Sequence, residues 1–169
     1  MIVLAPYDPE WPAQFAAARD EILAACSGLV IEVHHIGSTA IPGLAAKPVI
    51  DMLPVVRRLE DGHACIAPLQ TLGYAYRGEH GIAGRHYFIR GTPRSHQAHL
   101  FAADHPEVER HLLFRDYLRE HADERATYER LKRDLAAKFG DDRQAYAAAK
   151  TPFCDRIDRL ARAAARPRS

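Results

Sequence analysis

Cysteine is scarce in this chain. Cys26, Cys65 and Cys154 are the three thiols among 169 residues, and none stands in a C-x-x-C pair. That excludes a disulfide framework and the usual structural zinc spacings. The odd number of thiols, with no signal-like leader ahead of them, points to a reducing cytoplasm. Long hydrophobic runs are missing too. Met1 leads into Ile2, Val3, Leu4 and Ala5, but Pro6 and Asp8 end that run. No stretch approaches the roughly 20 apolar residues that cross a bilayer, so no membrane partner is expected. Charge of one sign is also lacking. Lys and Arg number 23 against 22 Asp and Glu, which leaves no broad field to draw the chain to nucleic acid. The basic tail Arg159 to Arg168 reads as a solvated helix end. No repeat and no low-complexity linker divides the sequence. What is there, 47% hydrophobic and 27% charged residues, is ordinary for one globular domain spanning residues 1–169.

Periodicity gives an order of elements. Trp11, Phe15, Ile22 and Leu23 lie along one side of a helix over 11–26. Residues 29–36 are β-branched and alternate loosely, as a strand does. A second strand covers 48–56, with Pro54 placing its end at a bulge or a sheet edge. A helix over 59–72 stops at Gly73. Short strands follow at 74–77, 85–90 and 97–102, the last two joined by a turn over Gly91 to Ser95. Beyond Pro106 the pattern is helical: 106–121, 123–139 and 143–165, with Pro152 expected to kink or restart the last. A strand-rich front over about 1–104 and a helical back over about 105–165 define an α+β fold, helices packed on a sheet.

The stretch from Glu32 to Asp51 carries the chemistry. A β-branched run ends in Gly37-Ser38, and the next strand holds one acid, Asp51, among apolar residues. A buried carboxylate is costly without a partner. A Gly-Ser turn offers bare N–H groups, a hydroxyl and room for a phosphate. The pair reads as a phosphate-and-metal corner or, more simply, as an Asp capping its neighbouring loop. Lys47, just before the strand, is either a solvated loop residue or a phosphate contact. Ser38 fits a binder better than a nucleophile, since no His–Asp arrangement can be read around it. Among ten histidines, His35 beside the turn and His99 on a late strand are candidate ligands or hydrogen-bonded structural residues. On the helices, Arg115 shares a stripe with Val108, Leu112 and Leu118. Lys132 borders the stripe of Tyr128, Leu131, Leu135 and Phe139. Lys150 lies with Tyr146, Phe153 and Ile157. Inward cations need partners. They are snorkelling stems and ion pairs, or a cationic wall for a polyphosphate.

These residues also resemble a known group. Pro6 to Pro9 with Trp11-Pro12, His35 to Thr39, Pro42 to Pro48, Ile50-Asp51, Gly73-Tyr74, His99, Phe114 to Leu118, Tyr128, Lys132, Tyr146 and Lys150 follow the pattern of the GrpB-like family over nearly the whole chain. The resemblance implies a nucleotidyltransferase-like mixed sheet with a helical C-terminal half. In that fold a Gly-Ser turn precedes a strand with two acids two residues apart, on one face, where they hold Mg²⁺. Asp51 matches the first acid, as catalytic residue and metal ligand. Leu53 stands at the second position and cannot ligate. One carboxylate plus substrate phosphates could still hold Mg²⁺, so Mg²⁺ is the expected cofactor. Gly37, Ser38, Lys47, His35, His99, Arg115, Lys132 and Lys150 are the expected ligand residues. The resemblance therefore implies a nucleotide- or phosphate-binding protein, with Mg²⁺-dependent nucleotidyl transfer as its reaction. The alternative is a non-catalytic ligand-binding or interaction module on the same fold. Related domains fused to dephospho-CoA kinases suggest a role near coenzyme A metabolism.

Overall fold

The first helix, α1 (Trp11–Ala25), begins where Pro12 costs nothing, because the opening N–H groups of a helix have no internal partner. Its buried Trp11, Ala18 and Ile22 form the stripe that meets the sheet. The computed structural model describes residues 1–167. The strands are β1 (Val30–Ile36), β2 (Ile50–Val56), β3 (Ala75–Tyr76), β4 (His86–Arg90) and β5 (His96–Ala102), in the order β1-β2-β5-β4-β3. β2 and β5 run parallel; every other pair is antiparallel. The helical half contains α4 (Pro106–Glu120), α5 (Ala122–Phe139) and α6 (Arg143–Ala165). The result is an α+β fold around a mixed sheet. Among the described residues no helix is long and apolar enough to cross a membrane.

Alternation along the strands gives each sheet face its own core. Val33, Met52, Val56, Phe88, Ala98 and Leu100 pack with Trp11 and Ile22 of α1. Ile36, Leu53, Val55 and Phe101 pack on the other face with Val108 and Leu112 of α4. A third cluster joins Ile41 and Leu44, from the loop after β1, to Leu118, Tyr128, Phe153 and Ile157 of the three long helices. That cluster seats the loop carrying the Gly-Ser turn.

Three expectations about the elements change, and one is narrowed. The helix over 59–72 is two helices, α2 (Leu59–Ala64) and α3 (Ile66–Thr71). Pro68 lacks the N–H that would bond Ala64, and its ring crowds that carbonyl, so the first helix ends there. The strand over 74–77 contracts to Ala75–Tyr76. Of the two alternatives for Pro54 the bulge holds and the edge does not: β2 is interior, and the β1 register shifts between Val30 and Glu32, opposite Val55 and Val56 at the end of β2. Helix α6 continues through Pro152. Buried Tyr146 before it, and Phe153, Ile157 and Ala161 after it, anchor both halves and offset the lost backbone bond.

Candidate functional site

Asp51 is the second residue of β2 and projects on the α4 face. Its neighbours there follow from register. Gln97 of β5 pairs with Asp51, and Tyr87 of β4 pairs with His99. His99 Nε2 lies 3.2 Å from Asp51 Oδ1, and Arg85 Nη1 lies 3.3 Å from His99 Nδ1. A guanidinium can only donate, so Nδ1 accepts and Nε2–H donates to the carboxylate. Tyr87 donates its hydroxyl to Gln97 Oε1 at 3.0 Å. The other Asp51 oxygen faces Gly37: a Cβ built there would lie 2.8 Å from Oδ2. Gly37 has φ 71° and ψ −172°. Glycine is thus required twice, by the left-handed backbone and by the approach of Asp51.

After Gly37 the chain makes one 3-10 turn, Ser38–Ala40. Three helical side chains hold this turn and the loop behind it. Arg115 donates to the His35 carbonyl at 3.1 Å, Arg119 donates to the Ala40 carbonyl at 2.9 Å, and Glu129 accepts from the Ala45 N–H at 3.3 Å. His35 holds the turn from the other face. Its ring stacks on Phe15 with centroids 4.7 Å apart and hydrogen-bonds Thr39 Oγ1 at 2.9 Å. Burial, then the Arg119 charge, pushes its pKa down to about 4. His35 pairs with Met52, so it projects away from Asp51. His35 and Arg115, both expected as ligands, therefore shape the turn and have their polar groups already engaged. Arg115 also bonds Asp116 at 2.8 Å.

The lysines form the rest of the site. Lys132 is 2% exposed. Its ammonium donates to Ser38 Oγ at 3.0 Å and to the Ala45 carbonyl. Burial first, and the nearby Lys150 charge second, lower its pKa to about 7. Lys150 is half-buried; desolvation and then Lys47 lower its pKa, while Asp51 opposes the shift. Lys47 is exposed overall at the rim, yet its ammonium, over the Tyr146 ring, is partly desolvated, which lowers its pKa while Asp51 opposes the shift. Each ammonium sits over a ring: Lys132 over Tyr128 at 4.8 Å, Lys150 over Tyr146 at 4.5 Å, and Lys47 over Tyr146 at 5.3 Å. Both helical pairs are Tyr-x-x-x-Lys, the spacing that puts two side chains on one face. Among the described residues none of the three is within ion-pair distance of a carboxylate. Glu129, the nearest acid on α5, is bonded to Arg133 at 3.0 Å.

Mg²⁺ fits these residues poorly. Leu53 is fully buried in the cluster with Ile36, Val55 and Phe101, so the position of the second acid belongs to the core. Among the described residues no group of three or more His, Cys, Asp or Glu is placed to hold a metal ion. One Asp51 oxygen already accepts from His99. A single carboxylate beside several ammonium groups is a weak seat for a hard dication. What the arrangement presents instead is a hydroxyl, three lysines and a turn with no side chain at Gly37. Two shallow hollows elsewhere, one between Arg110 and Arg162 on α4 and α6 and one around His121, lie outside it.

Reasoning from sequence missed Gln97 and Tyr87. Gln97 lies two residues before His99 and so shares its face, which was a usable signal; Tyr87 needs the β4–β5 register. It also missed the backbone-clamping roles of Arg119 and Glu129, which depend on contacts across 79 and 84 residues.

Comparisons with known proteins bear on the fold and the family. A solved structure of GrpB from Enterococcus faecalis superposes with TM-score 0.89 at 36% identity, covering 94% of this chain and 96% of that one. The Cid1 poly(U) polymerase, in a structure with Mg and 3'-dATP bound, matches at TM-score 0.58 and 13% identity over 86% of this chain and 49% of its own. That likeness shows a shared nucleotidyltransferase-like fold alone. UPF0157 protein YqkA of Bacillus subtilis is 41% identical over 85% of this chain, which spans 42% of YqkA. A dephospho-CoA kinase of Mycolicibacterium paratuberculosis is 32% identical over 89% of this chain and 43% of its own. The family model described as GrpB protein matches residues 1–159, and the chain belongs to that family.

Proposed function

We propose that the protein binds a phosphate-bearing ligand of nucleotide type at the corner formed by Gly37, Ser38, Lys47, Lys132 and Lys150. The observation that carries this reading is the three-lysine cluster. Lys132 at the Ser38 hydroxyl, and Lys150 and Lys47 over the Tyr146 ring, have no carboxylate in ion-pair range among the described residues, and they repel one another. That costs stability unless an anion relieves it. Phosphate oxygens would accept from Ser38 and the lysines and leave the ligand's organic part toward Tyr87 and Gln97.

A transferase reading has one observation in its favour, Asp51 with His99 at 3.2 Å beside the turn. The buried Leu53 favours binding without nucleotidyl transfer. The kinase among the relatives makes coenzyme A and its precursors sensible probes. Free Cys26, Cys65 and Cys154 support a cytoplasmic setting for such a ligand.

A thermal-shift screen of pyrophosphate, nucleoside triphosphates and coenzyme A tests the reading. A ligand at 100 times its Kd should stabilise by about 2.7 kcal/mol. Ser38→Ala is expected to weaken binding by about 1–2 kcal/mol, the scale of one hydrogen bond. Lys150→Ala should cost binding more than about 1 kcal/mol. If Lys150→Ala instead destabilises the free protein and leaves binding intact, the lysine is structural and the site lies elsewhere.

A further inference from the structure

We infer that the site takes its ligand as the metal-free polyanion, with the lysines supplying the neutralisation that a divalent cation supplies elsewhere. This deepens the phosphate-binding reading and rests on it.

Charge is the first reason. Lys47, Lys132, Lys150 and Arg133 set four cations against two carboxylates, Asp51, whose field reaches Lys47 and Lys150, and Glu129, which faces Lys132 and is shared with Arg133. A tri- or diphosphate chain brings several negative charges and matches that excess. Its Mg²⁺ complex brings two fewer and adds a dication that the ammonium groups repel. Ligand chemistry is the second reason. Mg²⁺ is held in proteins through carboxylates together with substrate phosphates. Here the two carboxylate positions are reduced to one, because Leu53 is sealed in the core. Asp51 Oδ1 is taken by His99, and Oδ2 lies against the Gly37 backbone. Donor geometry is the third. Lys132 reaches Ser38 Oγ, so hydroxyl and ammonium already converge from opposite elements, and Lys150 and Lys47 close in over the Tyr146 ring. Phosphate oxygens chelated by Mg²⁺ would be withdrawn from these donors.

The test is calorimetric titration of the full chain with inorganic tripolyphosphate, once in EDTA and once in excess Mg²⁺. Tripolyphosphate is expected to bind in EDTA, with affinity falling about tenfold or more in Mg²⁺. Lys150→Gln should lose the EDTA binding. Asp51→Asn, which removes the carboxylate whose charge reaches Lys47 and Lys150, should bind about threefold tighter or more. Circular dichroism verifies that both variants fold. Binding that needs Mg²⁺, or that Asp51→Asn abolishes, overturns the inference and leaves phosphate binding standing. Undiminished binding by Lys150→Gln places the anion elsewhere and also overturns it. Failure of tripolyphosphate, nucleotides and coenzyme A to bind under either condition removes the phosphate-binding reading itself, and this one with it.

Discussion

Gly37→Val is expected to abolish ligand binding and to lower stability by about 3 kcal/mol or more. Two independent costs combine at this position. The φ of 71° lies where β-branched residues are strained by about 1–3 kcal/mol. The added Cβ would also meet Asp51 Oδ2 at 2.8 Å and Asp51 Cβ at 3.2 Å. Asp51 cannot simply swing away, because its other oxygen is held by His99 and the strand fixes its Cα. The turn must therefore move, and with it Ser38, which Lys132 grips from α5. Gly37→Ala separates the costs. It keeps the clash and the positive φ but drops the branched methyls, so it should be milder in stability and still damaging to binding. Chemical denaturation gives the stability, and titration with pyrophosphate gives the binding. Near-native values for Gly37→Val in both would mean that the turn relaxes freely and is no preformed anion seat.

How much of this was legible in the sequence depends on distance along the chain. The Gly-Ser turn and Asp51 are local: strand, turn and apolar strand announce themselves by composition. Lys150 was legible because helical periodicity puts it on the stripe of Tyr146, Phe153 and Ile157; Lys132 was legible only as bordering its stripe, not as buried. Arg115 was legible as inward-facing, but not as the donor to the His35 carbonyl, since that contact joins positions 80 apart. His35 shows the limit most clearly. Adjacent to the turn in sequence, it lies on the α1 face because its register partner is Met52. Strand register is set by packing across the sheet, and a one-residue shift exchanges the faces. The parallel pairing of β2 with β5, which brings Gln97 and His99 beside Asp51, is of the same kind.

Lys132 should make stability and affinity respond to pH in opposite directions. Its folded pKa is lowered to about 7 from an ordinary 10.5. Between these values the unfolded chain holds the proton and the folded chain does not. The unfolded state then binds more protons, so stability rises with pH across that window, by up to about 1.4 kcal/mol per pH unit. Below about pH 7 both states are protonated and the cost of burying the charge is fully present. The groups facing Lys132 are Lys150 of α6, Lys47 before β2, and Glu129, Arg133 and Tyr128 on α5. Glu129 is the sole acid in that set, and it is shared with Arg133. Lys132→Met keeps the length and removes the titration. Denaturation of both proteins from pH 6.5 to 10 should show the wild type gaining on the variant as pH rises. A bound phosphate reverses the preference, because an adjacent anion favours the ammonium form. Affinity for pyrophosphate should therefore fall as pH climbs above about 7, with proton uptake on binding that Lys132→Met lacks. Titration calorimetry in buffers of different ionisation enthalpy counts that proton. Parallel stability curves for the two proteins, together with equal proton uptake, would mean that Lys132 is an ordinary ammonium and that its burial carries no electrostatic cost for an anion to relieve.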